Sequence, residues 1–217
     1  HHPVRVAEKV AMVDQLSGGR VDFGTGRGGA YEQTGLAVDP RETRSMWDEA
    51  MRMIPRMWED EEFSWDGKYW NVPPRNIIPK PLQKPHPPMW LAGMQPSTYR
   101  MAADRGLGML SLSTGAPSEM APHIAEYKER IKNAEPFGAF VNDQWAHLAI
   151  AHCGPDRTEA QARAANAMKV FFGPDRPYTQ GQSDIYKQLV KGWGGIPDHL
   201  ENQFKWVLDE EVDVGGG

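Results

Sequence analysis

Cysteine is nearly absent from this chain. Cys153 is the only one in 217 residues, which excludes an internal disulfide and a thiolate zinc site and suits a reducing, cytoplasmic setting. Long apolar runs are missing as well, and none approaches the ~20 residues needed to cross a bilayer, so no membrane partner is expected. No secretory leader is visible, although a chain that opens at His1 without Met says little on that point. The seven histidines show no HExxH or related metal-ligand spacing. His147 and His152 are five apart, so one strand carrying both would turn them to opposite faces. There is no G-x-S-x-G nucleophile elbow. Lys and Arg form no cluster, and the formal charge is -5, which makes the chain a poor candidate for binding a phosphate backbone, so no nucleic-acid partner is expected. The acidic run Glu59-Asp60-Glu61-Glu62 reads as a solvated helix end. Nothing in the chain stands out as a strong general base.

What is present is enough to pack. Hydrophobic residues make up 40% and the mean hydropathy is -0.61, polar for this size yet outside the disordered range. Eight Trp, seven Phe and six Tyr point to a packed core or an aromatic-lined pocket. No Gly/Ser linker, charge run or internal repeat divides the chain, so a single domain over 1–217 is expected.

Hydrophobic spacing predicts alternating helices and strands. Val6, Val10, Val13 and Leu16 predict an amphipathic helix over 3–16, stopped by Ser17-Gly18-Gly19. A short strand follows over 20–25, then a glycine-containing loop over 27–39. The next helix is predicted to open at Asp39-Pro40 and to carry Pro55, which should kink or shorten it. A small aromatic hairpin is predicted over 63–71 around Asp66-Gly67. Seven prolines between 73 and 88 predict an extended surface segment. Strands are predicted at 89–93, 108–112 and 145–152, and helices at 97–105, 118–133 and 156–171. Two short helices (183–191 and 198–208) would finish the chain. This alternation implies a mostly parallel sheet, wound as a barrel or left open.

Several segments carry candidate chemistry beside an ordinary explanation. Gly24-Thr25-Gly26-Arg27-Gly28-Gly29 fits G-x-G-x-x-G after a strand, but a dinucleotide fingerprint needs a helix to open at once, and Tyr31 to Asp39 reads as loop. The alternatives are a strand end whose missing side chains admit a flat ring or a phosphate, or a plain turn. Arg27 and Arg44 suit a bidentate phosphate contact, or surface ion pairs. Gly93-Met94-Gln95-Pro96-Ser97-Thr98 leads from a strand into a helix. There Ser97 or Thr98 would cap the helix, and the same backbone N–H groups could hold a phosphate.

Taken together, these residues carry a family resemblance. His2-Pro3-Val4-Arg5, Ala7-Glu8, Leu16-Ser17-Gly18-Gly19-Arg20 and Phe23-Gly24-x-Gly26-Arg27-Gly28 resemble the bacterial luciferase-like flavin-dependent monooxygenases, in the manner of the alkanal monooxygenase alpha chain. Pro79-Lys80-Pro81-x-Gln83-x-Pro85-His86-Pro87-Pro88, leading into Trp90-Leu91-Ala92-Gly93, is a second match. Ala102-Ala103-x-x-Gly106-Leu107-Gly108 is a third. Together they span roughly residues 2–112.

The resemblance implies an α/β fold, a partial TIM-type (β/α)8 barrel that lacks N-terminal and C-terminal strands. By resemblance about three strands would precede His1 and about two would follow Gly217. The family's catalytic His, in a Glu-His-His segment, would lie upstream of His1, and the catalytic residues are left unknown within this chain. By resemblance the cofactor is reduced FMN, with deazaflavin F420 as the alternative. Its phosphate would meet Arg27, Arg44 and the loop bearing Met94 and Ser97-Thr98. Gly93-Met94 stands where the family usually has a polar or acidic pair, so backbone contacts would serve there. Gly24 and Gly26 would admit the ring, and Gly26 replaces a reactive Cys of luciferase. The implied reaction joins O2 to a small organic substrate, with a separate reductase supplying reduced flavin and a homodimeric full enzyme. Trp65, Tyr69 and Trp70 of the hairpin would line the substrate mouth or simply pack. The rivals are an F420-dependent dehydrogenase on the same barrel, a non-catalytic flavin-binding protein and an inactive incomplete product.

Overall fold

The computed structural model describes residues 1–113, 117–149 and 151–172. The predicted helices at 183–191 and 198–208 lie outside the described residues. Contacts gather the chain into two units, 1–27 with 45–150, and 28–44 with 151–217.

The larger unit holds a four-stranded sheet. Its strands are β1 (Phe23–Thr25), β4 (Met89–Gly93), β5 (Gly108–Ser113) and β6 (Trp145–Ala149), all parallel, in the order β1-β4-β5-β6. A separate hairpin pairs β2 (Phe63–Asp66) with β3 (Asn71–Arg75). Helices α1 (Pro3–Ser17), α4 (Pro96–Asp104), α5 (Ala121–Arg130) and most of α3 (Thr43–Glu59) belong to the same unit. Short 3-10 turns, Pro117–Met120 and Ile131–Asn133, flank α5 where one continuous helix was predicted. In the smaller unit, α2 (Ala30–Gly35) corrects the predicted loop over 27–39. There Gly28 turns at φ +72°, and the Glu32 carboxylate accepts the Gly29 N–H at 2.5 Å, which closes the first turn. α3 starts at Thr43, not Asp39, because Asp39 is spent on a turn, accepting from Arg41 N at 2.9 Å. It runs past the buried Pro55 to Glu59. α6 (Arg157–Phe172) follows, with Asp156 Oδ1 accepting from Glu159 N at its start.

Helix α1 shows why local pattern and packing can part. Val13 and Leu16, predicted to face the core, are 54% and 83% exposed. The buried face is Pro3, Ala7, Ala11 and Asp14. Small Ala7 and Ala11 let the helix backbone come close enough for Trp58 Nε1 to donate to Ala7 O at 3.0 Å. His2 Nδ1 caps the helix by accepting from Val4 N. Gly18 ends it at φ +70°, where a side chain would be strained.

Asp14 is the fixed point of this corner. Its carboxylate is fully buried and accepts Gln83 N (2.8 Å), Gln83 Nε2 (2.8 Å) and, more weakly, Val21 N (3.4 Å). Burial alone would raise its pKa, but the bonds from Gln83, Val21 and Leu82 outweigh that and hold it below the usual carboxylate range. Gln83 Nε2 also donates to Val21 O at 2.7 Å. The end of α1, the approach to β1 and the distant Gln83 segment are therefore tied where β1 begins. Nearby, Lys80 Nζ donates to Met57 O and Asp60 O, satisfying carbonyls at the end of α3. His86 has both ring nitrogens engaged, Nδ1 on Pro87 O and Nε2 receiving Ala139 N–H.

The aromatic hairpin is anchored by Glu49 of α3. That carboxylate accepts from Trp65 Nε1 (3.0 Å), Tyr69 N (3.1 Å) and Trp70 N (3.2 Å). Phe63 is fully buried, and Trp65 and Trp70 pack against the core, so the hairpin is a packing element along α3. Gly67 leaves room for this clamp, since a Cβ there would lie 2.0 Å from Glu49 Oε1.

Asp14→Asn should lower unfolding stability by about 2–4 kcal/mol at neutral pH, read from urea midpoints. Because the folded pKa is depressed, the carboxylate's contribution is complete above the unfolded value of ~3.9 and drains away as pH falls below it. The gap between wild type and variant should therefore narrow in acid; a constant gap from pH 7 to pH ~2.5 would refute the charge-based account. Gly67→Ala should cost about 1–3 kcal/mol through overpacking against Glu49. An unchanged thermal midpoint would show that the clamp yields freely.

Candidate functional site

Strand alternation divides the sheet into two unlike faces. Phe23, Met89, Leu91, Met109 and Ser111 are buried on the face toward the helices. The pairings Leu91↔Met109↔Trp145 and Gly93↔Ser111↔His147 extend that face to β6. The opposite face carries Gly24, Trp90 and Gly108 in one row and Ala92, Leu110 and Ala146 in the next, with Leu112 and Leu148 above them. Gly26 continues the second row, since a Cβ on it would meet the Ala92 Cβ at 3.7 Å. Gly24, Gly26, Ala92, Ala146 and Leu148 on this face are exposed. At its N-terminal end Trp90 closes over Gly108 and donates Nε1 to Asp22 at 2.8 Å. At the C-terminal end the face is open, and ligand sites of such sheets gather there.

The candidate residues fall as follows. Gly24 and Gly26 lie on the open face beside Leu110 and Ala92, where a flat group can approach the backbone. Arg27 follows directly and is half-buried. Trp47 Nε1 donates to Thr25 Oγ1 (3.1 Å), which itself bonds to Trp90 O (3.0 Å). This chain of bonds holds the end of β1 against both α3 and β4. Arg44, exposed in the first turn of α3, falls in the smaller unit.

The loop after β4 is built differently from the sequence expectation. α4 opens at Pro96, with Gln95 as its N-cap and no side-chain capping bond, so Ser97 and Thr98 lie inside the first turn and do not cap it. Ser97 is exposed. Thr98 is buried, and its methyl occupies the space that a Gly93 side chain would need, 2.4 Å from the position of that absent Cβ. Met94 is 56% exposed. Its carbonyl receives the Tyr99 hydroxyl at 2.9 Å, and burial raises that phenol's pKa, which keeps it a donor.

Sequence reasoning missed the far half of the open face, Leu110, Leu112, Ala146 and Leu148. The signal was alternation within β5 and β6, which becomes readable only with the register known. It also missed a polar chain on the covered face, in which Trp145 Nε1 donates to Ser111 Oγ (2.8 Å) and Ser111 Oγ lies 2.7 Å from His147 Nδ1. His152, predicted on the same strand, lies beyond the end of β6. Among the described residues no group of His, Cys, Asp or Glu could hold a metal ion, and no helix is long and apolar enough to cross a membrane.

Known proteins resemble this chain in sequence and in fold. The family model of the luciferase-like monooxygenases matches residues 1–205. The oxygenase component of a flavin-dependent trigonelline monooxygenase from Acinetobacter baylyi is 26% identical over 196 residues, covering 87% of this chain and 52% of the relative. An F420-dependent glucose-6-phosphate dehydrogenase from Beutenbergia cavernae is 28% identical over 217 residues, covering 99% of this chain and 55% of the relative. Among solved structures, the oxygenating constituent of 3,6-diketocamphane monooxygenase from Pseudomonas putida, in complex with FMN, superposes with a TM-score of 0.66. It shares 18% identity and covers 91% of this chain and 58% of that one. The chain thus spans about half the length of the curated relatives it matches. The α/β fold with parallel strands is that of a partial TIM-type barrel.

Gly93→Ala should destabilise the chain by about 1–3 kcal/mol, because Thr98 already fills the space. Adding Thr98→Ser removes the obstructing methyl and should recover part of the loss in a double-mutant cycle. Strict additivity would show that the two residues do not share that space.

Proposed function

The chain belongs to the luciferase-like monooxygenase family, and on that premise we propose that it is part of a flavin-dependent monooxygenase that uses reduced FMN and O2 to oxygenate a small organic substrate. The observation that carries this reading is the end of β1. Gly24 and Gly26 leave the open face bare, and Arg27 supplies a cation immediately beyond them. A flat tricyclic ring can lie against such backbone, and a guanidinium suits the phosphate of its tail. The residues present therefore fit the cofactor.

When bound, the flavin supplies the reducing electrons and the oxygen chemistry, while the protein binds, orients and shields it. Arg27 would neutralise the phosphate, and Arg44, the second arginine that the resemblance offers for it, falls in the smaller unit. Gly93, Met94, Ser97 and Thr98 contribute the loop after β4, through backbone groups and the first turn of α4. The apolar rows of the open face exclude water from the ring. No catalytic residue is assigned within the chain. Reduced flavin comes from a separate reductase, in keeping with a relative described as an oxygenase component. The full enzyme works as a homodimer in the cytoplasm. A second reading, hydride transfer with F420 and without oxygen, draws on the glucose-6-phosphate dehydrogenase relative, which aligns over 99% of the chain.

Flavin titration tests the reading directly. FMN fluorescence should be quenched on binding, and FMN should compete successfully against F420. Arg27→Met should weaken FMN at least about tenfold, the loss of a charge-assisted contact, while riboflavin, which lacks the phosphate, should bind as before. Binding of neither cofactor would sink the proposal, and preference for F420 would install the second reading.

A further inference from the structure

We propose that Tyr99 is a positioning residue for the phosphate end of the cofactor: it holds the loop after β4 in the shape that receives an anion, and so favours phosphorylated flavins over unphosphorylated ones. This rests on the flavin reading above.

Tyr99 reaches two consecutive carbonyls of that loop. Its backbone N–H donates to Gln95 O at 3.2 Å, a bond that any residue at this place in α4 could make. Its hydroxyl donates to Met94 O at 2.9 Å, a bond that needs a phenol. Both carbonyls are thereby drawn back onto the helix. A peptide oxygen carries partial negative charge, so an oxygen released toward the C-terminal end of β4 would oppose a phosphate there. With the two carbonyls held back, the N–H side of the turn is what an incoming anion meets.

The turn itself is prepared for negative charge. Pro96 takes the first helical position, Gln95 makes no side-chain capping bond, and the first turn holds no acidic residue. The N-terminal end of α4 therefore keeps its partial positive charge.

The phenol is fixed from behind. Tyr99 is 4% exposed. Its ring meets Trp145 of β6 edge-on at 5.0 Å and His123 of α5 at 5.5 Å. Burial raises its pKa, so the hydroxyl keeps its proton and remains a donor. The loop is thus shaped by a side chain that is braced by a different strand and a different helix.

The test is a fluorescence titration of the chain with FMN and with riboflavin, in wild type, Tyr99→Phe and Tyr127→Phe. Tyr99→Phe keeps the ring and its contacts and removes one oxygen. FMN should then bind roughly three- to tenfold more weakly, the effect of one hydrogen bond, while riboflavin binds as before. Tyr127→Phe is the control. It removes a similarly buried hydroxyl bonded to Leu107 O, Asn142 O and Gln144 O, near the N-terminal ends of β5 and β6. It should lower the urea midpoint and leave the ratio of FMN to riboflavin affinity unchanged. An unaltered FMN affinity in Tyr99→Phe overturns the proposal. Equal losses for FMN and riboflavin overturn it too, because they mark a packing role. So does a ratio that Tyr127→Phe lowers as far, or a wild type with equal affinity for the two flavins. A wild type that binds no flavin sinks the flavin reading and this role with it. That result appears before any substitution is made, which separates it from a failure of Tyr99 alone.

Discussion

A buried carboxylate sets this structure. Asp14 has no exposure to solvent and would be costly to bury unpaired. Its lone pairs are taken up by Gln83 and Val21, groups that lie far along the chain and just before β1. The bonds satisfy the charge and at the same time fix where the first strand starts. That start decides which residues of β1 look toward the helices and which look outward. A slip of one residue would bury Gly24 and expose Phe23, because side chains alternate along a strand.

From that register the two faces follow. The covered face is packed with Met, Leu and Trp, and α1 approaches it through alanines, close enough for Trp58 to bond the helix backbone. Neutral networks brace the corners of the same unit: His86 between Pro87 and Ala139, and Tyr127 beneath the carbonyls of Leu107, Asn142 and Gln144. The open face is left with small residues on the β1–β4 side and leucines on the β5–β6 side. The bonded scaffold thus presents, on the β1–β4 side, a surface with little side-chain bulk, which suits a planar cofactor.

Glycine and arginine at the end of β1 suit a phosphate-bearing ring. Glu49 holds the aromatic hairpin against α3. The aromatics that looked like a substrate mouth are thereby engaged in packing, which leaves the mouth to the strand ends.

The alternation of apolar runs with glycine and proline breaks is local, and it located the strands at 89–93 and 108–113 to within a residue. The order and spacing of the motifs from His2 to Gly108 carried the family, because glycines at positive φ, such as Gly18, Gly28 and Gly106, leave a pattern in the sequence itself. Gly24, Gly26 and Arg27 stood out through the motif to which they belong. Other features depend on contacts between distant residues. Helical spacing marked Val13 and Leu16 of α1 for the core, but close approach through Ala7 and Ala11 turned the neighbouring face, with Asp14, inward. Ser97 and Thr98 looked like caps until Pro96 started the helix one residue earlier, with Gln95 at the cap position, and Thr98 was needed to fill the space above Gly93. The rows Leu110–Ala146 and Leu112–Leu148 exist only through the pairing of β5 with β6. The sequence by itself determined the alternation, the fold class and the glycine-arginine strand end, since each is written in neighbouring residues. Which face of each element is covered was decided by the tertiary structure alone, because burial is a property of what packs against a residue and not of the residue.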